Sequence, residues 1–444
     1  MNDKTEKTSE AGRRQFLKLS GGALAATASG LSIAQSAHAA GSDVIRLGLI
    51  GCGSRGSVGT GQALFADKGV HLVALADLLR DRAQERRSAM KVTYPEQVTA
   101  QDSDCFGGFD GYKKVIAASD AVIIANAALF HPLHLMEAIQ AGKHVFVEKP
   151  HAIDPAGIKR VRAACELAKQ KNLTVLSGLH SRYHPIFSEA IKRVLDGAIG
   201  DIVSIEENFL RAPYVVRQRR PNQEELEFQG SNQYHFHWLC GDDVVQSLIH
   251  NLDRASWALG GRTPLKCHGL GGRSTLRGEV FGNVFDHHSV VYEYAGGVRL
   301  YAFCRTIPGC YNETSSIILG TKGRCNVNRG LIEGANPWQY SGPKIYSTPW
   351  VNAYQIEQGE FIKSIRSGKP LNSAGYMINS TLTGIMGQLS CYSGKEVTWE
   401  QITNSDFAYL PRPEDVHADM EPPVKLGPDG NYPLPFTPGV SKLL

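Results

Sequence analysis

"VIRLGLIGCGSRGSVGTGQALF", residues 44 to 65, decides how this chain is read. An aliphatic run breaks into Gly51, Gly53 and Gly56, spaced G-x-G-x-x-G. That spacing alone fits any tight strand-to-helix turn, so its surroundings must decide its purpose. "VIRLGLIG" barely alternates, as expected of a strand buried on both faces of a parallel sheet. "GTGQALFADKG" predicts a helix ending at Gly69, and "VHLVALAD" a second buried strand ending in Asp77. Strand, glycine turn, helix, strand, acid is the order a dinucleotide site requires. Gly51 permits the sharp turn, Gly53 the approach of a pyrophosphate, and Gly56 close helix–strand packing. Ser54 and Arg55 complete the turn, and the helix start offers unpaired N–H groups to phosphate. Asp77 can accept hydrogen bonds from both ribose hydroxyls and would repel a 2′-phosphate, so NAD is expected rather than NADP.

The alternation continues along the chain. "YKKVIAASDAVIIANA" predicts a helix and a strand over Ala121 to Ala125, reaching Asn126. "HPLHLMEAIQAGK" predicts an amphipathic helix, "HVFVEKP" a strand ending at Glu148-Lys149-Pro150, and "DPAGIKRVRAACELAKQKN" a helix capped by Asp154. "LTVLSGLHSRYHP" reads as a sixth strand. The fold class is therefore α/β: a doubly wound Rossmann sheet over residues 40–180. The rest divides into an α+β domain over 181–405 and a Pro-rich tail over 406–444, read as an extended surface wrap. "GDIVSIEENFLR" and "HSVVYEYAGGVRLYAFCRT" alternate with period two, as strands of an open, mainly antiparallel sheet would. "QRRPNQEEL", residues 218 to 226, reads as a charged lid or subunit contact.

Ahead of the first strand stand Arg13-Arg14, an Ala-rich apolar stretch from Leu19 to Ile33, and Ala37-His38-Ala39. A positive start, an apolar middle and an A-x-A end predict an export signal over 1–39, of the twin-arginine type. That implies a periplasmic protein, with no membrane span once the signal is removed. The formal net charge of +4 over 444 residues, with no basic tract, argues against a nucleic-acid partner. The nine cysteines include no C-x-x-C pair, although Cys304 and Cys310 could form a disulfide after export. In "NQYHFHWLCGDD", His235 and His237 would face one way on a strand. Without a third ligand that is a weak metal site, so no metal is assigned and the aromatics are read as a carbohydrate pocket.

The pieces "LGLIGCGSRG", "FHPLHLMEAIQAGKHVFVEKP", "GLHSRYHPIF" and "DVVQSLIHNLDRASWALG" occur in the order found in the glucose–fructose oxidoreductase, inositol dehydrogenase and MocA family, which this chain resembles. "GEFIKSIRSGKP", residues 359–370, resembles the family's late helix. The resemblance implies an NAD-dependent oxidoreductase acting on a sugar or glycoside hydroxyl, assembled as a homo-oligomer. Lys149 would sit beside the nicotinamide and the reacting hydroxyl, with His250 as general acid/base. The family carries an Asp four residues before that His; here the position is Gln246, which can position a neighbour but cannot take a proton. His131, His134 and His180 would border the cofactor. Arg182, Tyr183, Tyr234, His235, His237 and Asp253 would face the substrate. The family also holds NAD-dependent glycosidases, such as α-N-acetylgalactosaminidases, that work by transient oxidation and elimination. They depart from the E-K-P pattern kept here.

Overall fold

A computed structural model describes residues 43–348 and 351–441. The export signal read over 1–39 lies outside the described residues. The first sheet is parallel, in the order β3-β2-β1-β4-β5-β6: β1 (Ile45–Ile50), β2 (Val70–Ala76), β3 (Cys105–Phe106), β4 (Ala121–Ile124), β5 (His144–Val147) and β6 (Val175–Ser177). The order reverses beside β1, where a doubly wound sheet opens its ligand crevice at the strand ends. Helices α1 (Ser54–Ala66), α2 (Arg80–Thr93), α3 (Gly111–Ala118), α4 (His131–Gln140) and α5 (Pro155–Gln170) cover both faces. β1 is buried at five of its six positions and β4 and β5 at all of theirs, which is why their sequences run apolar without alternating.

After α6 (Pro185–Leu195) the chain builds a nine-stranded sheet in the order β14-β13-β12-β11-β7-β10-β9-β8-β15. β7 (Ile202–Leu210) pairs in parallel with β10 (Arg299–Arg305); the other pairings are antiparallel. The remaining strands are β8 (Lys266–Gly272), β9 (His287–Glu293), β11 (Glu313–Gly320), β12 (Gly323–Asn326), β13 (Leu331–Gly334), β14 (Trp338–Gln339) and β15 (Val397–Thr398). β9 alternates buried and half-buried residues without a break, which is the period-two pattern in its sequence. Between β7 and β8 lie α7 (Glu225–Ser231), the short α8 (His237–Cys240) and α9 (Ile249–Ala258). Three helices follow β14: α10 (Ala353–Arg366), which packs on α1, α11 (Ala374–Ser393) and α12 (Trp399–Asn404).

Four local expectations change. The sixth strand stops at Ser177, and residues 180–183 form a 3₁₀ turn ahead of Pro185, which starts α6. "QYHFHW" is not a strand: residues 233–235 make a 3₁₀ turn, and α8 ends at Gly241 in the left-handed conformation, φ 72°. The helix bearing His250 opens with a π turn over Val244–Leu248. The tail has little regular structure, yet Tyr409, Val416 and Tyr432 are buried in the main core, so it does more than wrap the surface. All nine cysteines are free, with Cys304 buried in β10 and Cys310 exposed.

Candidate active site

Gly51, at the end of β1, has φ +96°, and a Cβ there would stand 2.4 Å from the Asn126 nitrogen. Only glycine fits that turn. A Cβ on Gly56 would meet the Gly51 carbonyl at 2.1 Å, so α1 packs directly on the turn it follows. Gly53 has open space where its Cβ would be. As the residue preceding α1, Gly53 gives it no side-chain cap, and the first turn holds no acid, so its N–H groups remain available for an anion. Asp77 follows β2 and is fixed by the Cys52 and Leu79 backbone N–H groups, at 2.9 and 3.1 Å, with Arg82 at 3.3 Å.

Gly51, Gly53, Asp77 and Arg82 line a cleft of about 780 Å³ that also holds Tyr112, Asn126, Phe130 and His134. His134 stacks on Tyr112 at 3.8 Å, and burial holds its pKa well below the ordinary histidine value. Leu226, Gly230, Gln233, Trp238 and Leu239 close the cleft from the far side, so α7 and the turn after it lie across the groove. The strap is tied to the tail: Gln229 Nε2 donates to the Val424 carbonyl at 2.7 Å, and the Tyr432 hydroxyl to Glu225 at 2.5 Å. Arg219, in the charged loop, pairs with Glu225 at 2.5 Å and Glu279 at 2.6 Å.

A second cleft, of about 770 Å³, continues from the first, since Ala125, Asn126 and Gln233 line both. Arg55, His131, Glu148, Lys149, Tyr214, Tyr234, Gln246, His250 and Tyr354 line it. Here the ends of β4 and β5 meet the π turn and α9. Lys149 Nζ donates to the Gln246 backbone carbonyl at 2.6 Å. Burial pulls its pKa from 10.5 down to about 8, with Glu148 opposing. Glu148 takes Arg55 Nε at 2.5 Å, and the Arg55 guanidinium lies 4.2 Å above the Tyr354 ring. The His180 ring packs on both Tyr354 and His250, at 4.0 and 4.7 Å. Burial, then His180 and Lys149, hold the His250 pKa well below its ordinary value, so its imidazole is neutral. Its Nδ1 is buried without a hydrogen-bond partner, as is Asn126 Oδ1. His131 bridges two strand ends, with Nδ1 2.6 Å from the Pro150 carbonyl and Nε2 3.1 Å from that of Asn126.

Several residues named from the sequence do not line either cleft. Asp253 is fully buried and takes Arg182 in a fork, with Nε 3.2 and 3.1 Å from its two oxygens and Nη2 2.8 Å from Oδ1. Ser380 completes its shell at 2.8 Å. This ion pair ties the turn after β6 to α9, and Tyr183 packs behind it against the first domain's core. His237 sits in a ring of Tyr392, Tyr409 and Phe436, with Nε2 2.9 Å from Gln388 Nε2. His235 contacts Phe281, and its Nε2 is unpartnered. Of that stretch, only Gln233 and Tyr234 reach the second cleft. The sequence reading passed over Tyr214, Gln233 and Tyr354. Tyr214 follows the strand break at Pro213, and Tyr354 lies one turn ahead of "GEFIKSIRSGKP". Among the described residues no cluster of His, Cys, Asp or Glu could hold a metal, and no helix is long and apolar enough to cross a membrane.

Fold and turn together define an NAD-binding Rossmann domain followed by a mixed, mostly antiparallel sheet. Residues 45–178 match the Gfo/Idh/MocA model, described as an oxidoreductase family with an NAD-binding Rossmann fold. An inositol 2-dehydrogenase of Rhizobium meliloti is 24% identical over 74% of this chain and 92% of its own length. One from Burkholderia cenocepacia is 30% identical over 49% of this chain and 55% of its own, so the chain spans about half of that relative. A solved levoglucosan dehydrogenase, in complex with NADH and levoglucosan, superposes with a TM-score of 0.62 at 19% identity, covering 80% of this chain and 99% of that one. That likeness concerns the fold.

The residues present fit a bound dinucleotide. Gly53 leaves room beside a turn whose helix N–H groups are uncapped. Asp77 stands at the end of β2, and Asn126, whose Oδ1 is orphaned, lines both clefts.

Proposed function

We propose that the protein is an NAD-dependent oxidoreductase of a sugar or related polyol. It would act in the periplasm as a homo-oligomer, with its cofactor held tightly and recycled in place. The observation that carries this reading is Lys149: a buried amine with its pKa near 8, in a cleft continuous with the dinucleotide groove and shared with a neutral His250. The inositol and levoglucosan dehydrogenases among its relatives support a polyhydroxylated substrate.

NAD, when bound, supplies the acceptor for hydride from the carbinol carbon. Lys149 in its neutral form keeps one N–H on the Gln246 carbonyl and turns its lone pair to the substrate hydroxyl, whose proton it takes. The neutral His250 imidazole, which lines the same cleft, holds the same or a neighbouring hydroxyl. Gln246 contributes its backbone carbonyl to Lys149 and, through its side chain, a neutral hydrogen-bonding group. Glu148 and Arg55 fix the strand end that carries Lys149. Closure by α7 and the tail suits a compartment without a free NAD pool, since an enclosed nucleotide is lost slowly.

The neutral Gln246 favours one second reading, glycoside cleavage by transient oxidation and elimination. Incubating the protein with free sugars, polyols and aryl glycosides separates the two. A keto product with reduced nicotinamide supports the oxidoreductase. Released aglycone supports the glycosidase, and no turnover of any compound rejects both.

A further inference from the structure

Beside Lys149, Tyr214 lines the second cleft and joins three side chains behind it that this chemistry leaves unused. Tyr214, just past β7, lines the cleft and is 39% exposed, enough to meet a ligand. The Arg211 guanidinium lies 3.3 Å above its ring, and the Tyr234 ring is 5.1 Å away. Its phenol oxygen is 3.2 Å from Ser247 Oγ. Ser247, in the π turn, stands 2.5 Å from Asp243 Oδ1. Arg211 Nη2 reaches the same carboxylate oxygen at 2.6 Å and Ser247 Oγ at 2.9 Å.

Counting hydrogens gives this chain a direction. A carboxylate only accepts and a guanidinium only donates. Ser247 has one hydrogen, held by the short contact to Asp243 and aimed past it at the Tyr214 oxygen. Its lone pairs accept from Arg211, so the Tyr214 hydrogen is left for the cleft. Burial pushes the Tyr214 pKa above its ordinary value, which keeps that hydrogen in place. What Tyr214 presents to the cleft is therefore a hydroxyl donor.

We propose that Tyr214 is a specificity-determining residue that donates a hydrogen bond to a substrate hydroxyl adjacent to the reacting one, with Ser247 and the Arg211–Asp243 pair as positioning residues. The proposal rests on the oxidoreductase reading of the cleft. It assigns hydroxyl recognition, on the π-turn side of the site, to a fixed phenol donor where Gln246 leaves no side-chain carboxylate. The substrate then carries an oxygen on the carbon next to the reacting one, as a vicinal polyol does.

The test uses NAD-loaded protein with myo-inositol, levoglucosan and monodeoxy analogues of each, comparing the parent with Tyr214→Phe and Ser247→Ala. Turnover gives kcat and KM, and ligand-induced shifts in melting temperature give affinity without turnover. One neutral hydrogen bond corresponds to roughly 3- to 10-fold in affinity. Tyr214→Phe should raise KM and weaken binding by that factor and leave kcat, bound NAD and substrate-free melting near the parent's. It should also abolish the parent's discrimination against one particular deoxy analogue, and Ser247→Ala should do the same more weakly. Equal discrimination in parent and Tyr214→Phe would overturn the proposal, as would losses of melting temperature and NAD with no analogue dependence. If the parent oxidises none of the probes, the oxidoreductase reading fails by itself, and the binding comparison still decides the role of Tyr214.

Discussion

Replacing Lys149 by Arg keeps a positive charge and a long side chain but removes the ability to lose a proton near neutrality. With a pKa of about 8, roughly 9% of Lys149 is neutral at pH 7; at the ordinary 10.5 the share would be about 0.03%. Burial beside β5 and the π turn therefore raises the concentration of usable base about 300-fold. The parent's kcat/KM should rise about tenfold per pH unit up to about pH 8 and then level. Lys149→Arg should lose that limb and about 10²–10⁴ in rate, the usual range for a general base. Lys149→Ala should fall equally far. Both variants should still hold NAD, because Gly51, Gly53, Gly56 and Asp77 lie outside the change. The assay is single-turnover reduction of bound nicotinamide across pH, with nucleotide content measured in parallel. A Lys149→Arg variant at the parent rate, or a parent profile flat from about pH 6 to 9, would refute the role of Lys149 as base.

Further outcomes follow from the same geometry. Gly51→Ala forces an L side chain to φ +96° and 2.4 Å from the Asn126 nitrogen, at a cost of at least about 1–2 kcal/mol, and should yield protein without nucleotide on denaturation and release. Tyr432→Phe with Gln229→Ala removes two ties between the tail and α7, and should speed the loss of bound NAD on dialysis without lowering the initial single-turnover rate. His235 and His237 have folded pKa values of about 4 against 6.5, so between these values the unfolded chain binds more protons and stability falls as pH falls. Each histidine contributes a loss of about 2 kcal/mol at pH 5, read as a falling denaturant midpoint. His288 shifts the opposite way, because its pairing with Asp242 outweighs burial, and offsets part of that loss, whereas the lowered Asp242 carboxyl adds to it as pH falls further. His237→Gln should flatten the acid limb if the protein folds.

The first sheet was legible because each of its longer strands carries one signal. β1, β4 and β5 are buried on both faces and read as largely apolar runs without alternation, and Gly51 and Gly56 stand where any Cβ would collide with backbone. β3 escaped notice because two residues carry no periodicity. The site was legible where it sits on those strand ends: Asn126, Glu148 and Lys149 needed only the sheet order to converge. It was opaque where long-range packing decides. Nothing in "QYHFHW" shows that Gly241 ends a helix there and turns His237 toward Tyr392 and Tyr409. Arg182 and Asp253 lie 71 residues apart, and only the fold shows that they satisfy each other. Tyr214 and Tyr354 reach the cleft from a loop and from a late helix with no motif of their own.

The central claim is that hydride passes from a substrate carbinol carbon to NAD held beside Lys149. A polyol or sugar substrate from the panel, deuterated at that carbon, tests it directly, with the protein's own nucleotide recovered after one turnover and its mass determined. Deuterium in the recovered nicotinamide, present in the parent and missing in Lys149→Ala, is the predicted result. A keto product formed with unlabelled nucleotide, or protein purified with NADP in place of NAD, would contradict it.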